Sequence, residues 1–361
     1  MKFIDEFRRK DLVQAVVRRL RELAAPAVIM EVCGTHTMSA ARFGLKSLLP
    51  EPVKLISGPG CPVCVTDQYD LDKFLALGDQ PHTVLASFGD MLRVPGTHTS
   101  LEKQRAQGAD VRFVYAPLDA VDLARREPDK QVVFFGVGFE TTMPTTALAL
   151  KSAGASGLDN FTLFCVHKTM PAALRALLDS GEIKVSGLLL PGHVTTIIGS
   201  EAYEFIPRDF GVPGAVTGFE PLDILLGVEA ILRQLVEGRP RVDNVYPRAV
   251  QVQANPQAMA LLEEVFEPDD ALWRGLGVIP GSGVRIRDRY RHFDARTRFA
   301  PILAQVPPPP PSACRCGEVL RGVLPPKQCP LFDKACNPSH PLGPCMVSGE
   351  GACAAVYRYE R

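Results

Sequence analysis

Apolar residues along this chain follow two different periods. Over residues 3–23, Phe3, Phe7, Val13, Val16, Val17, Leu20 and Leu23 recur largely at helical spacing, with Arg8, Arg9, Arg18, Arg19 and Arg21 between them. This pattern predicts an amphipathic helix lying on the body of the protein. From Ala27 the runs become short and β-rich, at 27–32, 53–57, 83–88 and 111–115, separated by helical stretches. A second series follows at 131–137, 161–166, 187–190 and 214–217. Strands alternating with helices imply parallel βαβ units, hence an α/β fold. Two series of four, divided near residues 125–130, predict two similar parallel-sheet lobes facing one another across a cleft. After Gly238 the alternation is lost. Five prolines at 307–311 then form a stiff extended connector to a cysteine-rich tail.

At 361 residues the chain exceeds one typical domain and can bury a substantial core. Lys plus Arg and Asp plus Glu balance at 40 each, so no global field draws it to nucleic acid or to an anionic membrane. No apolar stretch reaches the roughly 18–20 residues of a membrane span, and the N-terminal segment alternates charge with apolar residues instead of forming a signal peptide's apolar region. The expected location is the cytoplasm. There thiols stay reduced, so ten cysteines point to metal binding or thiol exchange before a disulfide framework.

Four motifs directly follow predicted strands, where open α/β sheets place their chemistry. In the first, Cys-Gly-Thr-His-Thr at 33–37, Cys33 falls at a strand-to-helix junction whose N–H groups and dipole lower a thiol pKa. His36 orients that thiolate, binds a ligand, or satisfies loop backbone groups. In the second, Gly-Pro-Gly-Cys-Pro-Val-Cys at 58–64, the Cys61/Cys64 spacing permits a disulfide, a shared metal or thioredoxin-like exchange. A zinc site completed by Cys33 and His36 is the metal alternative. Glu140, in Gly-Phe-Glu-Thr-Thr at 138–142, and His193, in Pro-Gly-His at 191–193, lie at the mouth of the second lobe as acid/base or polar clamps. For Glu140 the competing reading is a helix start capped by Thr141 or Thr142. Cys165, inside an apolar run, reads as a core thiol. Gly-Thr-His-Thr recurs at 96–99 and Gly-Phe-Glu at 218–220, matches too short to establish duplication.

The tail carries Cys314, Cys316, Cys329, Cys336, Cys345 and Cys353 among glycines and prolines. So little apolar content cannot build a core, and a cross-link must hold it. Six thiols fit a four-thiolate iron–sulfur cluster with one adjacent pair. A zinc ribbon competes, although its paired C-x-x-C knuckles are absent.

Taken in order, these motifs and the tail resemble the HypD family of hydrogenase maturation factors over nearly the whole chain. The resemblance implies two Rossmann-like lobes around a central cleft and a third, cysteine-rich iron–sulfur domain. The lobes would span 27–127, with Cys33 and Cys61/Cys64, and 128–238, with Glu140 and His193. The third domain would combine 1–26 with 239–361. The implied function is an assembly scaffold for the Fe(CN)2CO unit of [NiFe]-hydrogenase, with iron at Cys33 and at Cys61 and Cys64. HypC would be the chaperone partner and HypE the cyanide donor. By the family pattern Cys314, Cys329, Cys336 and Cys353 hold a [4Fe-4S] cluster, and Cys316 with Cys345 form a redox pair that feeds Cys61/Cys64. The alternative is a thiol–disulfide oxidoreductase of the ferredoxin–thioredoxin reductase type acting on a protein disulfide; a zinc-stabilised interaction module is a third reading.

Overall fold

A computed structural model describes residues 5–23 and 25–360. Phe3 of the expected first helix lies outside the described residues, and the helix itself runs Lys10–Glu22 after a short turn of 3-10 helix at Asp5–Arg8. Eight strands stand where the apolar runs place them: β1 (Ala27–Glu31), β2 (Val53–Ser57), β3 (Thr83–Phe88), β4 (Asp110–Val114), β5 (Gln131–Gly136), β6 (Phe161–Cys165), β7 (Gly187–Pro191) and β8 (Gly214–Thr217). A short β9 (Val242–Asn244) follows, then a hairpin of β10 (Phe266–Trp273) and β11 (Gly277–Ile286). The fold is α/β with two parallel sheets and a cysteine-rich tail consistent with a third domain. Among the described residues no helix is long and apolar enough to cross a membrane.

The division of the chain between the sheets differs from the expected one. The five-stranded sheet has the order β2-β1-β7-β8-β9 and the four-stranded sheet β4-β3-β5-β6. Lobes at 27–127 and 128–238 are therefore not the units of strand pairing: the second sheet is inserted between β2 and β7 of the first. Alternation locates strands but not their partners. Burial does not separate the cases, since β6 and β7 are each buried at all five residues, yet β6 is an edge strand and β7 lies between β1 and β8. The expected grouping of 1–26 with 239–361 changes likewise. Val16, Val17 and Leu20 join the outer core of the five-stranded sheet with Ile29, Leu189 and Ile224, and Arg19 forks onto Glu229 with two bonds of 2.7 Å. β9 extends that sheet, while the helix Pro256–Val265 packs on the helix Met143–Ala155 of the other lobe, with Lys151 and Glu264 paired at 2.6 Å.

Period-two alternation sorts side chains between an inner and two outer cores. Met30, Leu85, Val133, Phe135, Leu188 and Leu190 enter one central cluster. Their neighbours Val84, Val132 and Phe134 face outward on one side, and Ile29 and Leu189 on the other. The central cluster also takes in Cys61, Cys64, Trp273, Cys316 and Cys345. Both sheets and the tail thus share a core, and their motif loops meet above it.

Candidate functional site

The strand ends converge on a cavity of about 300 Å³ lined by Cys33 after β1, Gly60, Pro62 and Val63 after β2, Met91 after β3, Phe139 and Thr142 after β5, and Pro191 and His193 after β7. Glycines interlock the loops beneath it. A Cβ on Gly60 would lie 2.2 Å from the Cys33 nitrogen, and one on Gly34 would lie 2.7 Å from Glu350 and 3.0 Å from the Cys61 Cβ. Gly34 N–H donates to the Gly60 carbonyl at 3.0 Å, fastening the two loops.

Cys33 precedes the helix Gly34–Arg42 in extended conformation, as its N-cap. The N–H groups of Thr35 and His36 and the Thr35 hydroxyl do favour its charged form, but burial and the nearby Glu350 carboxylate outweigh them and push the thiol up to about 12. The thiolate expected from the helix terminus is therefore corrected: desolvation exceeds the dipole here, and Cys33 rests as a neutral thiol. A bound cation would be needed to replace its proton.

His36 is fully buried and stands behind the cavity wall. Its Nε2 donates to the Gly218 carbonyl at 3.0 Å, its Nδ1 is buried without a hydrogen-bond partner among the described residues, and burial pulls its pKa down to about 4, so it is neutral at physiological pH. Phe219 lies between the two imidazoles of the site, 4.7 Å from the His36 ring and 3.9 Å from that of His193. His193 is exposed at the cavity edge.

Glu140 is buried, and burial raises it to about 7. It does not begin its own helix: its Oε1 accepts the Met170 N–H at 2.9 Å, at the start of the helix Met170–Asp179. Thr142, preceding the helix Met143–Ala155, makes no side-chain cap bond either. Glu140 serves a neighbouring helix N-terminus instead of the cavity wall.

Cys61 and Cys64 are joined as a disulfide, and both are buried. Cys61 caps the helix Pro62–Val65, accepting the Cys64 N–H at 3.2 Å. Ser348 Oγ stands 3.5 Å from Cys61 Sγ. That helix touches two tail helices, Cys316–Leu320 and Pro344–Val347, whose Cys316 and Cys345 sulfurs lie 2.8 Å apart. The other tail thiols gather nearby. Cys353 is pushed up by burial and by Cys316, Cys314, Cys336 and Cys329, and a Cβ on Gly343 would lie 2.4 Å from the Cys314 sulfur. The tail gains its core by docking, since the helix Ala352–Tyr359 packs along Gly34–Arg42. Among the described residues no group of three or more His, Cys, Asp or Glu is arranged to hold a metal ion. Cys165 is a buried thiol beside His167, raised to about 11 by burial.

The sequence reading missed two residues. Glu350 reaches the cavity from the tail and accepts the Thr35 hydroxyl at 2.6 Å; it sits between Cys345 and Cys353, where the cysteines drew attention. Phe219 belongs to the second Gly-Phe-Glu, and that recurrence was its one available signal.

The model of the HypD family, described as the hydrogenase formation hypA family, matches residues 9–360. The chain is 46% identical to the hydrogenase maturation factor HypD of Rhizobium leguminosarum bv. viciae, over 100% of this chain and 96% of that protein. It is 46% identical to the HypD of Escherichia coli (strain K12), over 100% and 99%, and 44% identical to that of Rhodobacter capsulatus, over 99% and 98%.

Proposed function

Since the chain belongs to the HypD family of hydrogenase maturation factors, we propose that it is the cytoplasmic scaffold on which the Fe(CN)2CO unit of [NiFe]-hydrogenase is assembled. The iron unit is its substrate, carried in the cavity between the sheets. HypC docks at the cavity mouth and HypE supplies cyanide there. The protein acts as an assembly scaffold with redox activity and not as a conventional turnover enzyme.

In this reading Cys33 is the principal protein ligand. A soft thiolate suits low-spin iron, and the largely apolar wall of Val63, Met91, Phe139 and Pro191 keeps water from it. His193 offers a polar edge where a partner enters, His36 shapes the pocket from behind, and Glu140 fixes the loop after β5. Cys61 and Cys64 stand as an alternative pair of iron ligands and as the nearer redox pair.

The tail's donor set suits a four-thiolate [4Fe-4S] cluster, because six thiols are gathered in one small region of the tail. Cys314, Cys329, Cys336 and Cys353 would hold it; when bound it supplies single electrons. Cys316 with Cys345, and beyond them Cys61 with Cys64, would pass electrons toward the cavity by thiol–disulfide exchange.

One observation carries this reading: a single short helix, Pro62–Val65, joins the cavity wall on one side and both redox-pair helices of the tail on the other. The oxidoreductase alternative finds less support, since Cys61 and Cys64 are 3% and 0% exposed and offer no sulfur to a protein substrate. Infrared spectra of anaerobically purified protein with HypC test the proposal. C≡N and C≡O stretches are expected; their absence from iron-loaded complex would reject it.

A further inference from the structure

Two stretches of the sequence have no part in the cleft or in the cysteine cluster: the second Gly-Thr-His-Thr, at 96–99, and the five prolines at 307–311. The fold brings both to one cavity of about 370 Å³ beside the helix Gln68–Ala76. Tyr69 holds the proline segment in place, its hydroxyl donating to the Val306 carbonyl at 3.2 Å. Gly96 lets its loop close on the helix, since a Cβ there would lie 2.4 Å from Leu75 Cδ1 and 2.8 Å from Asp72 Oδ1.

The polar groups lining this cavity are mainly acceptors. Gln104 is 6% exposed; its Nε2 donates to the Leu75 carbonyl at 2.9 Å, and its Oε1 is buried with no hydrogen-bond partner among the described residues. Asp72 accepts the Thr97 N–H at 2.7 Å, the Thr97 hydroxyl at 2.6 Å and the Gln68 amide at 3.2 Å, all uncharged donors. Asp79 is exposed, and neither carboxylate is ion-paired among the described residues. The prolines add carbonyls and no N–H groups. No lysine or arginine lines the cavity, and the side-chain donors left over, on His98 and Gln305, belong to exposed residues.

A buried amide oxygen without a donor is costly. Water would serve it but would leave both carboxylates without a cation, and among the described residues no group of three or more His, Cys, Asp or Glu is arranged to hold a metal ion. An organic cation with several N–H donors answers all three groups at once. Leu75, Ile302 and Val306 give the cavity an apolar side, which suits a weakly hydrated guanidinium better than a compact, strongly hydrated ammonium. We propose that this cavity binds a guanidinium group carried on a short aliphatic chain. The head donates to Gln104 Oε1 within the field of Asp72 and Asp79, and the chain rests on Leu75, Ile302 and Val306. The proposal stands independently of the iron unit and its assembly.

Isothermal titration calorimetry of the full-length anaerobic protein with butylguanidinium tests it, with butylurea as the uncharged control of similar shape. Saturable binding of butylguanidinium is expected, with butylurea at least about tenfold weaker. Gln104→Met, which keeps the length and removes the amide, is expected to lower affinity about tenfold, as for a lost hydrogen bond to a charged group. Asp79→Lys sets a like charge at the cavity from an exposed position and is expected to cost about tenfold or more. Should Gln104→Met not fold, Asp79→Lys decides in its place. Absence of saturable binding, equal affinity for butylurea, or wild-type affinity in either folded variant overturns the proposal. A capped arginyl tripeptide separates the two sources of such a head: binding tighter than that of butylguanidinium identifies the arginine of a partner protein, and weaker binding a free small molecule.

Discussion

At the cleft each functional side chain is fixed by the end of a parallel strand, whereas in the tail the cysteines ride on helices of 5, 4 and 8 residues and on the loops between them. The cleft is rigid because its loops interpenetrate at glycine and its strands β1, β3, β5 and β7 are each paired on both sides. The tail has no sheet and borrows its apolar support from the helix Gly34–Arg42. A site on strand ends arises from the fold alone; a thiol cluster on short helices depends on docking and on whatever joins its sulfurs. The two regions should therefore answer differently to substitution.

The sharpest separation is expected from Cys33→Ala. It should abolish the cyanide and CO infrared bands while leaving the tail's visible absorption unchanged; persistence of the bands would move iron to Cys61 and Cys64. Cys353→Ala is the converse. It should remove the brown chromophore and acid-labile sulfide, while Cys33 keeps its wild-type alkylation rate by mass spectrometry. If both sites fail together, they form one cooperative unit and the contrast drawn here collapses.

Backbone rigidity at the cleft can be compared with a tail loop by adding a single methyl group. Gly60→Ala drives a Cβ into the Cys33 backbone and should cost about 3 kcal/mol, read by urea denaturation. Gly349→Ala, with nothing within 4 Å of the new Cβ, should cost less than about 0.5 kcal/mol.

The smallest effect concerns protons. Burial raises Glu140 from 4.5 to about 7, and Glu31 likewise. Between those values these two groups hold more protons in the folded state than in the unfolded chain, so their contribution to stability is fullest below pH 4.5 and falls as pH rises toward 7. Each carboxyl contributes a slope of at most about 1.4 kcal/mol per pH unit. Glu140→Gln should remove its share, flattening the denaturation midpoint across that window; an unaltered slope would mean that Glu140 is hydrated.

How much of this was legible in the sequence differs between the same regions. The β-rich runs gave the eight strands within a residue or so, because a strand buried on both faces leaves a run of Val, Leu and Phe. That β7 would lie beside β1 left no local trace, since pairing is decided by crossover geometry and by contacts over long separations, and β6 is buried as fully at an edge. Cys33 and the Cys61/Cys64 spacing were readable from residue type and position after a strand. The charge state of Cys33 was not, because it depends first on burial by the loops packed around it and then on Glu350, which arrives from the far end of the chain.

The inserted order of the strands also sets a timetable for synthesis. β1 and β2 leave the ribosome with the Cys33 and Cys61 motifs, yet their neighbour β7 emerges only after the whole four-stranded sheet has been made. A nascent chain therefore displays these thiols before any cavity exists to shelter them. The four-stranded sheet, uninterrupted in sequence, is able to fold first and to bring the later strands back to the waiting pair. The cleft cannot take its native geometry until synthesis has passed β7, a little beyond the middle of the chain, and Glu350 completes its lining only when the tail has been made.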